Sequence, residues 1–391
     1  MSRVADRTGG MSFSDAAPVK FLHTSDLQIG MDRHFLDADA QARFNDARIR
    51  AISRCGEVAL AHGCAFIVVA GDVFEKNSLS AQTTSRALEA LRQLPLPVYL
   101  LPGNHDPLVA DSIFYRTADI AGVHVLGDSE PVEVSPGVEV VGAPLKSRYA
   151  TTDLVRQALE PLAPYEGVRI MVGHGQAFSR TSEASPDLID LAYVESRLAD
   201  GSIDYLALGD THSAQAVGDS GRVWFSGAPE TTDFHDLTPG VEGGEVNSGK
   251  VLVVTAYPGS VTVEEVAVGQ WTFHALHADL YSTGDVEEFL TRLAAYPDKA
   301  TTVIKYALHG TLGLGDHRLL SAGLEDLRPA FAALYERTRL MDLQLEPGAE
   351  EIVELDIQGY AAAALDELVQ RREEPAARDA LNLLFRLSKE S

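Results

Sequence analysis

Basic side chains are scarce in this 391-residue chain: 32 Lys and Arg stand against 57 Asp and Glu, a formal net charge of −25. A field of that sign repels polyanions, which excludes gathering nucleic acid by overall charge. A nucleic-acid role needs bound divalent cations, a local cluster of Arg and Lys, or a partner that brings the phosphate contacts. Cysteine is nearly absent as well. Cys55 and Cys64 lie in apolar stretches without CxxC spacing and read as small core hydrophobes. No apolar run reaches the length of a membrane helix, and the opening MSRVADRTGGMSFSDAAPVK lacks the apolar core of a signal peptide. The expected location is the cytoplasm, with no membrane partner, and residues 1–18 read as a disordered leader or as an overlong start preceding Met11.

A chain this long exceeds what one hydrophobic core usually holds. From Val19, VKFLHTS reads as a strand, Leu36 to His62 as a helix and AFIVVAGD as a second strand. A helix carrying Leu88, Leu91 and Leu94 leads to the strand PVYLLPGN, and VEVVGAP, VRIMVGHG, DYLALGD, RVWFSGAP and KVLVVTAY continue the theme. Continuous apolar strands alternating with helices predict an α/β fold over residues 19–268, its sheet buried between helical layers. Over 269–346 the punctuation changes: WTFHALHADL, VEEFLTRLAAY, TTVIKYALHG, a helix around LEDLRPAFAALYERT, and LMDLQLEP predict a small α+β capping domain. Residues 347–391 follow, with a linker near Pro347 to Glu351 and then a helix-rich end. There Leu381, Leu384 and Leu387 recur at helical spacing beside Phe385, a stripe that either packs on the cap or docks a partner. The loop from Gly240 to Gly249 reads as disordered.

The apolar strands stop at polar residues, as strands in α/β sheets do where sites are built. Five ends carry ligand-type side chains: Ser25-Asp26-Leu27-Gln28, Gly71-Asp72, Gly103-Asn104-His105-Asp106, Gly173-His174 and Gly209-Asp210-Thr211-His212. Each motif alone is weak, but the ordered set points to a metal centre. Phosphodiester hydrolysis needs a nucleophile at neutral pH and positive charge opposite the phosphate, which two divalent ions about 3.5–4 Å apart provide. One ligand must bridge such a pair, and the carboxylate of Asp72 is the natural candidate. Extended residues two apart point the same way, so Asp26 with Gln28, and Asp210 with His212, are expected to face the ions as pairs.

The ordered series resembles the calcineurin-like metallophosphoesterase superfamily, whose motifs run D-x-H, GD, GNH[DE], GH, GHxH. Within it, TSDLQIG, GDVFEKN, LPGNHDP and SGAPE are most similar to SbcD-type DNA repair nucleases. The resemblance implies a four-layer sandwich, two β-sheets flanked by helices, with the small cap and C-terminal helices added. It implies one metal ion among Asp26, Gln28, Asp72 and His212, and another among Asp72, Asn104, His174 and Asp210. His105 would then be unligated and face the scissile phosphate with Asn104, and Asp106 would orient it. Arg148 and Arg180, with Arg33 and Lys146, are candidate phosphate contacts.

Two departures bear on the metal: Gln28 stands where the family usually has histidine, and Asp210 replaces the first histidine of GHxH. Oxygen ligands in place of two imidazoles favour Mn²⁺ over Zn²⁺, with Mg²⁺ or Fe²⁺ as alternatives. The resemblance also implies DNA as substrate, an SbcC-like coiled-coil ATPase as partner and a homodimer. Two readings compete: a hydrolase of nucleotides or other small phosphoesters, and a scaffold for DNA ends whose catalysis Gln28 and Asp210 have weakened. Glu75, His34, His235, His274 and His277 read as ordinary surface, turn or strand residues.

Overall fold

In the computed structural model, which describes residues 18–178, 188–241, 243–345, 360–371 and then 374, 376, 377, 380, 381 and 383, Phe21 and Leu22 leave one strand for different cores. A strand buried on both faces requires this, because successive side chains alternate. The chain opens with β1 (Val19–Thr24), α1 (Ala38–Ala61), β2 (Phe66–Val69), α2 (Ala81–Arg92), β3 (Val98–Leu100) and β4 (Val123–Val125). There follow β5 (Val132–Ser135), β6 (Val138–Gly142), α3 (Leu154–Leu159), β7 (Val168–His174), β8 (Ala177–Phe178), β9 (Ile189–Asp190) and α4 (Leu191–Ala199). Next come β10 (Tyr205–Gly209), β11 (Gln215–Val217), β12 (Val223–Phe225), β13 (His235–Asp236), β14 (Gly243–Gly244), β15 (Lys250–Tyr257) and β16 (Ser260–Ala267). The chain closes with β17 (Thr272–Leu280), α5 (Thr283–Ala294), β18 (Thr302–Leu312), α6 (Leu314–Leu327), β19 (Ala333–Glu336), β20 (Asp342–Leu345) and α7 (Tyr360–Gln370).

Two compact units result. The first comprises residues to Asp32, Asn45–Thr232 and Asn247–Gln270; the second takes Arg33–Phe44, Asp233–Val246 and the chain from Trp271. In the first, one six-stranded sheet runs β16-β15-β1-β2-β3-β4 and the other β11-β12-β10-β7-β6-β5. Phe21, Phe66, Val68 and Tyr99 of one sheet meet Val140, Ile170, Val172 and Tyr205 of the other in a shared core. Their sequence neighbours face outward. Leu22, Ile67, Val69 and Leu100 pack under Ile52 and Ala59 of α1 and Ala87 and Leu91 of α2. Met171, Leu206 and Leu208 pack under Val155 and Leu159 of α3 and Val194 and Leu198 of α4. Helices, sheet, sheet and helices make the four-layer sandwich that the motifs imply. Side-chain caps start the helices: Ser80, Asp153 and Asp190 accept from the backbone N–H groups of Thr83, Arg156 and Tyr193. Cys55 and Cys64 are buried free thiols, in keeping with their reading as core residues.

In the second unit β14-β13-β17-β18-β19 form a sheet, with β20 also beside β18. Leu276, Leu280, Ile304 and Leu308 on one face pack against Val286, Phe289 and Leu293 of α5 and Leu320 and Leu324 of α6. Phe273 gathers the rings of Phe35, Phe44 and Phe234, which accounts for the two earlier chain segments in this unit. One expected element is corrected: the helix around LEDLRPAFAALYERT lies earlier, as α6, and Ala333–Glu336 is a strand. Its residues have fair helix propensity, yet they pair in parallel with Val303–Tyr306, and tertiary pairing overrides propensity.

The loop expected to be disordered carries β14, which pairs with β13, and a buried Glu245 that accepts from the Asp233 N–H. Leu365 and Leu381 pack together. The leader, the linker near Pro347, Leu384, Phe385 and Leu387 lie outside the described residues. No helix of the described residues is long and apolar enough to cross a membrane.

Candidate metal centre

β1, β2 and β3 run parallel as neighbours in one sheet, and β7 and β10 do so in the other, so loops at their C-terminal ends open on one edge of the sandwich. The structure brings the ligand-type residues of all five ends together. Asp26, Asp72 and His174 each offer a ligand atom within 4.8 Å of the others. His174 Nε2 lies 3.2 Å from Asn104 Oδ1, 3.4 Å from Asp72 Oδ1 and 3.8 Å from Asp210 Oδ1. His212 Nε2 lies 3.3 Å from Gln28 Nε2 and 3.8 Å from Asp26 Oδ1.

The two imidazoles are aimed by their outer nitrogens. His174 Nδ1 is 2.8 Å from the Ala70 carbonyl. A carbonyl only accepts, so Nδ1 carries the proton and the Nε2 lone pair of the neutral ring points into the cluster. His212 Nδ1 lies 2.5 Å from the buried Thr232 hydroxyl, a partner the sequence reading missed. Two oxygens of the cluster, Asp26 Oδ1 and Gln28 Oε1, are buried without a hydrogen-bond partner. A buried carboxylate oxygen in that state is expensive to maintain, and a bound cation would offset that cost. The donor set therefore fits divalent metal.

The backbone, however, is not the extended one expected for Asp26-Leu27-Gln28 and Asp210-Thr211-His212. Asp26, Gln28, Asp72 and Asp210 have φ of 53°, 41°, 52° and 96°, and Asp298 is the one other non-glycine residue with positive φ among those described. The ligands converge through left-handed turns, a local strain that the surrounding structure must hold. Close packing does so. A Cβ on Gly103 would lie 2.1 Å from Asp72 Oδ1, and one on Gly209 2.0 Å from the Ala70 oxygen. Beneath the first turn, the buried Arg48 guanidinium donates to the carbonyls of Asp26, Leu27, Gln28 and Thr231. Its place on α1 gave no sequence signal.

His105 stands at the rim of the cluster. Its N–H donates to Asp72 Oδ1 at 3.0 Å, and its Nε2 is 3.9 Å from Asp72 Oδ2. Its Nδ1 donates to the Glu75 carbonyl at 3.2 Å, with Glu75 Oε1 at 3.7 Å. Glu75, expected to be bland, is thus the residue that orients His105, and it leads the forces that push the imidazole up to about 9 against the effect of burial. Asp106, expected in that role, is placed differently. Its oxygens accept from the N–H groups of Gly103 and Phe74 at 2.8 and 2.9 Å, tying two ligand loops together, and burial raises its carboxyl to about 7.

Charge in the cluster is arranged for a cation. Burial raises the Asp26 carboxyl. Burial also works to raise Asp72, but His174 and His105 outweigh it and hold that carboxyl low. Burial disfavours a charged His174, yet Asp72, Asp26 and Asp210 push its imidazole up to about 10. In the absence of metal the histidine takes up a proton in its place, the competition expected of a metal ligand. Gln176 donates to Asp210 and adds a further neighbour that sequence did not single out.

The candidate phosphate contacts are less clearly drawn in. Arg148 is exposed, its guanidinium 5.9 Å from the Tyr149 ring centroid. Lys146 lines a surface cavity with Asp128, Thr151 and Gln157. Arg33 belongs to the second unit, and Arg180 lies outside the described residues.

A family model described as calcineurin-like phosphoesterase matches residues 19–214. The DNA double-strand break repair protein Mre11 of Archaeoglobus fulgidus is 23% identical over 370 residues, covering 87% of this chain and 76% of that protein. Among solved structures, a dimetal phosphatase from Danio rerio is 10% identical with a TM-score of 0.38, covering 64% of this chain and 99% of its own; a likeness that distant adds nothing to the site. The matched segment spans all five ligand-bearing strand ends and half of the sequence, and the chain belongs to the calcineurin-like phosphoesterases, hydrolases built around a dinuclear metal centre.

Proposed function

We propose that this chain is a metal-dependent DNA nuclease. The observation that carries the reading is the ligand cluster with its two unpartnered buried oxygens, Asp26 Oδ1 and Gln28 Oε1. Similarity to a DNA double-strand break repair protein over 87% of the chain supports DNA as the substrate. Asp26, Gln28, Asp72 and His212 would hold one ion and Asp72, Asn104, His174 and Asp210 the other, with Asp72 shared. Bound there, two divalent ions supply positive charge opposite the phosphate and lower the pKa of water. Three carboxylates in the set, Asp26, Asp72 and Asp210, favour Mn²⁺, with Mg²⁺ or Fe²⁺ as alternatives.

The chain's own residues do the rest. His105, held by Glu75 with Nε2 toward the cluster, donates a proton to the leaving alkoxide, and Asn104 contacts the phosphate. Arg148 and Arg180 contact the DNA backbone. Residues 269–346 act as a cap that positions DNA, and residues 347–391 dock an SbcC-like coiled-coil ATPase. That partner brings the phosphate-binding surface that a chain with net charge −25 lacks. The nuclease works as a homodimer.

The same net charge favours a second reading, a small phosphoester as substrate. Hydrolysis of linear duplex DNA and of bis(p-nitrophenyl) phosphate with Mn²⁺ separates the two. Turnover of both, lost in Asp72→Ala and with chelator, is the expected result. Turnover of the small ester alone, with and without the ATPase, overturns the nuclease reading.

A further inference from the structure

The second unit holds another group of ligand-type side chains. His277 and Asp279 lie two apart on β17 and so leave the same face. That is the face opposite Leu276 and Leu280, which pack under α5 and α6. β17 and β18 are parallel, and their register sets Asp279 beside His309. One ligand atom from each of His277, Asp279 and His309 lies within 4.8 Å of the others. The two imidazoles meet edge to face with centroids 4.4 Å apart.

More than proximity distinguishes this group. His309 Nε2 is 2.9 Å from the Leu340 carbonyl; the carbonyl accepts, so Nε2 carries the proton and the lone pair of the neutral ring is on Nδ1. Ligating histidines are held in this way, by an outer hydrogen bond that fixes tautomer and ring plane. His277 Nε2 is 3.1 Å from Asp279 Oδ1. Ligand atoms about 2.0–2.1 Å from one tetrahedral ion are about 3.3 Å apart, so that gap suits adjacent ligands. Beyond this pair the strands are drawn close: Gly310 has φ of 123°, and a Cβ there would lie 2.1 Å from the Leu280 oxygen. The Asp279 side chain is 59% exposed and that of His277 20%, which leaves an ion a path in and a position open to solvent.

We propose that His277, Asp279 and His309 form a mononuclear site for a transition-metal ion of the Zn²⁺ class, with a fourth position open to water. His277 binds through Nε2, His309 through Nδ1 and Asp279 through its carboxylate. Two imidazoles and one carboxylate suit Zn²⁺, in contrast to the oxygen-rich cluster of the first unit. The competing account is a His–Asp hydrogen bond and nothing more.

The test uses the full chain with the first cluster disabled by Asp72→Ala and His174→Ala, and counts Zn²⁺ retained after equilibrium dialysis. One equivalent is expected beyond that held when His309→Phe is added, and adding Asp279→Asn instead weakens that equivalent more than about a hundredfold, beyond the ~10–100-fold that loss of an outer partner gives. Co²⁺ in place of Zn²⁺ is expected to give tetrahedral visible absorption that both added substitutions remove. Asp279 is exposed, so Asp279→Asn keeps the metal-free melting temperature and a loss of metal is not a loss of fold. Equal zinc in all three proteins, or none in the background, overturns the site.

Discussion

The main chain and the side chain of Glu75 both face His105: the carbonyl accepts from Nδ1 at 3.2 Å and Oε1 lies 3.7 Å away. The imidazole is thereby raised to about 9 and turned so that Nε2 faces the metal cluster. Activity that needs a protonated His105 falls as pH rises through its pKa. Glu75→Gln removes the charge and lowers that pKa, so the alkaline limb of the pH–rate profile moves to lower pH. Turnover at neutral pH is expected to fall about tenfold, less than the ~10²–10⁴-fold that a general acid supplies. An unmoved alkaline limb would show that Glu75 does not tune His105.

Metal binding is expected to acidify a weakly buffered solution. Without metal, Asp72, Asp26 and Asp210 push His174 up to about 10, so near pH 7 the ring is charged and an arriving ion must displace its proton. Mn²⁺ at a hundred times its Kd is expected to stabilise the fold by about 2.7 kcal/mol. Chelation reverses the gain, and Asp72→Ala abolishes both the gain and the proton release, as read by melting curves and a pH electrode.

Gly103→Ala probes the cluster without removing a ligand. The added methyl would sit 2.1 Å from Asp72 Oδ1 and 2.5 Å from its backbone nitrogen. Overpacking of this kind destabilises by about 1–3 kcal/mol, and here the shift falls on Asp72, the residue proposed to be shared by both ions. Loss of bound Mn²⁺ at a temperature where the fold persists is the expected outcome; full retention would contradict the close approach.

His23 predicts an acid sensitivity unrelated to catalysis. Burial beside Tyr205 lowers its imidazole from 6.5 to about 3. Between those values the unfolded chain binds a proton that the folded chain does not. Stability therefore falls as pH drops below 6.5 and stops falling from this source near 3. Urea unfolding at several pH values should show a slope that is shallower by up to one proton in His23→Gln.

Gln28→His restores an imidazole at the position that departs from the family pattern. Zn²⁺ affinity is expected to rise relative to Mn²⁺, measured by competition at fixed total metal. An unchanged ratio would mean that the Gln28 amide does not set the preference.

The strands and their burial on both faces were legible because they are unbroken apolar runs ending at polar dipeptides; that they form two facing sheets, with Phe21 and Val68 in one core and Leu22 and Val69 in another, was implied only by the family resemblance, since the runs alone suggest one sheet between helical layers. The ligand cluster was legible for the same reason, since each ligand follows directly on such a run. What escaped depends on distant chain. Thr232 meets His212 from a separate loop, and Arg48 reaches Asp26 from α1. Glu75 carries nothing in its local sequence that sets it apart from a solvated loop carboxylate. β19 escaped because Ala-Leu-Tyr-Glu favours a helix until β18 offers it a partner, and α6 because its glycines, 315 and 323, blur its period.

The left-handed turns at Asp26, Gln28, Asp72 and Asp210 limit how this chemistry can be moved to another scaffold. Grafting the same side chains onto ordinary strand ends would aim them elsewhere, because the direction of each one is encoded in a backbone that L-residues adopt reluctantly. The transferable unit is larger than a ligand list: the turns, the glycines packed against them and the Arg48 fork that holds their carbonyls must travel together.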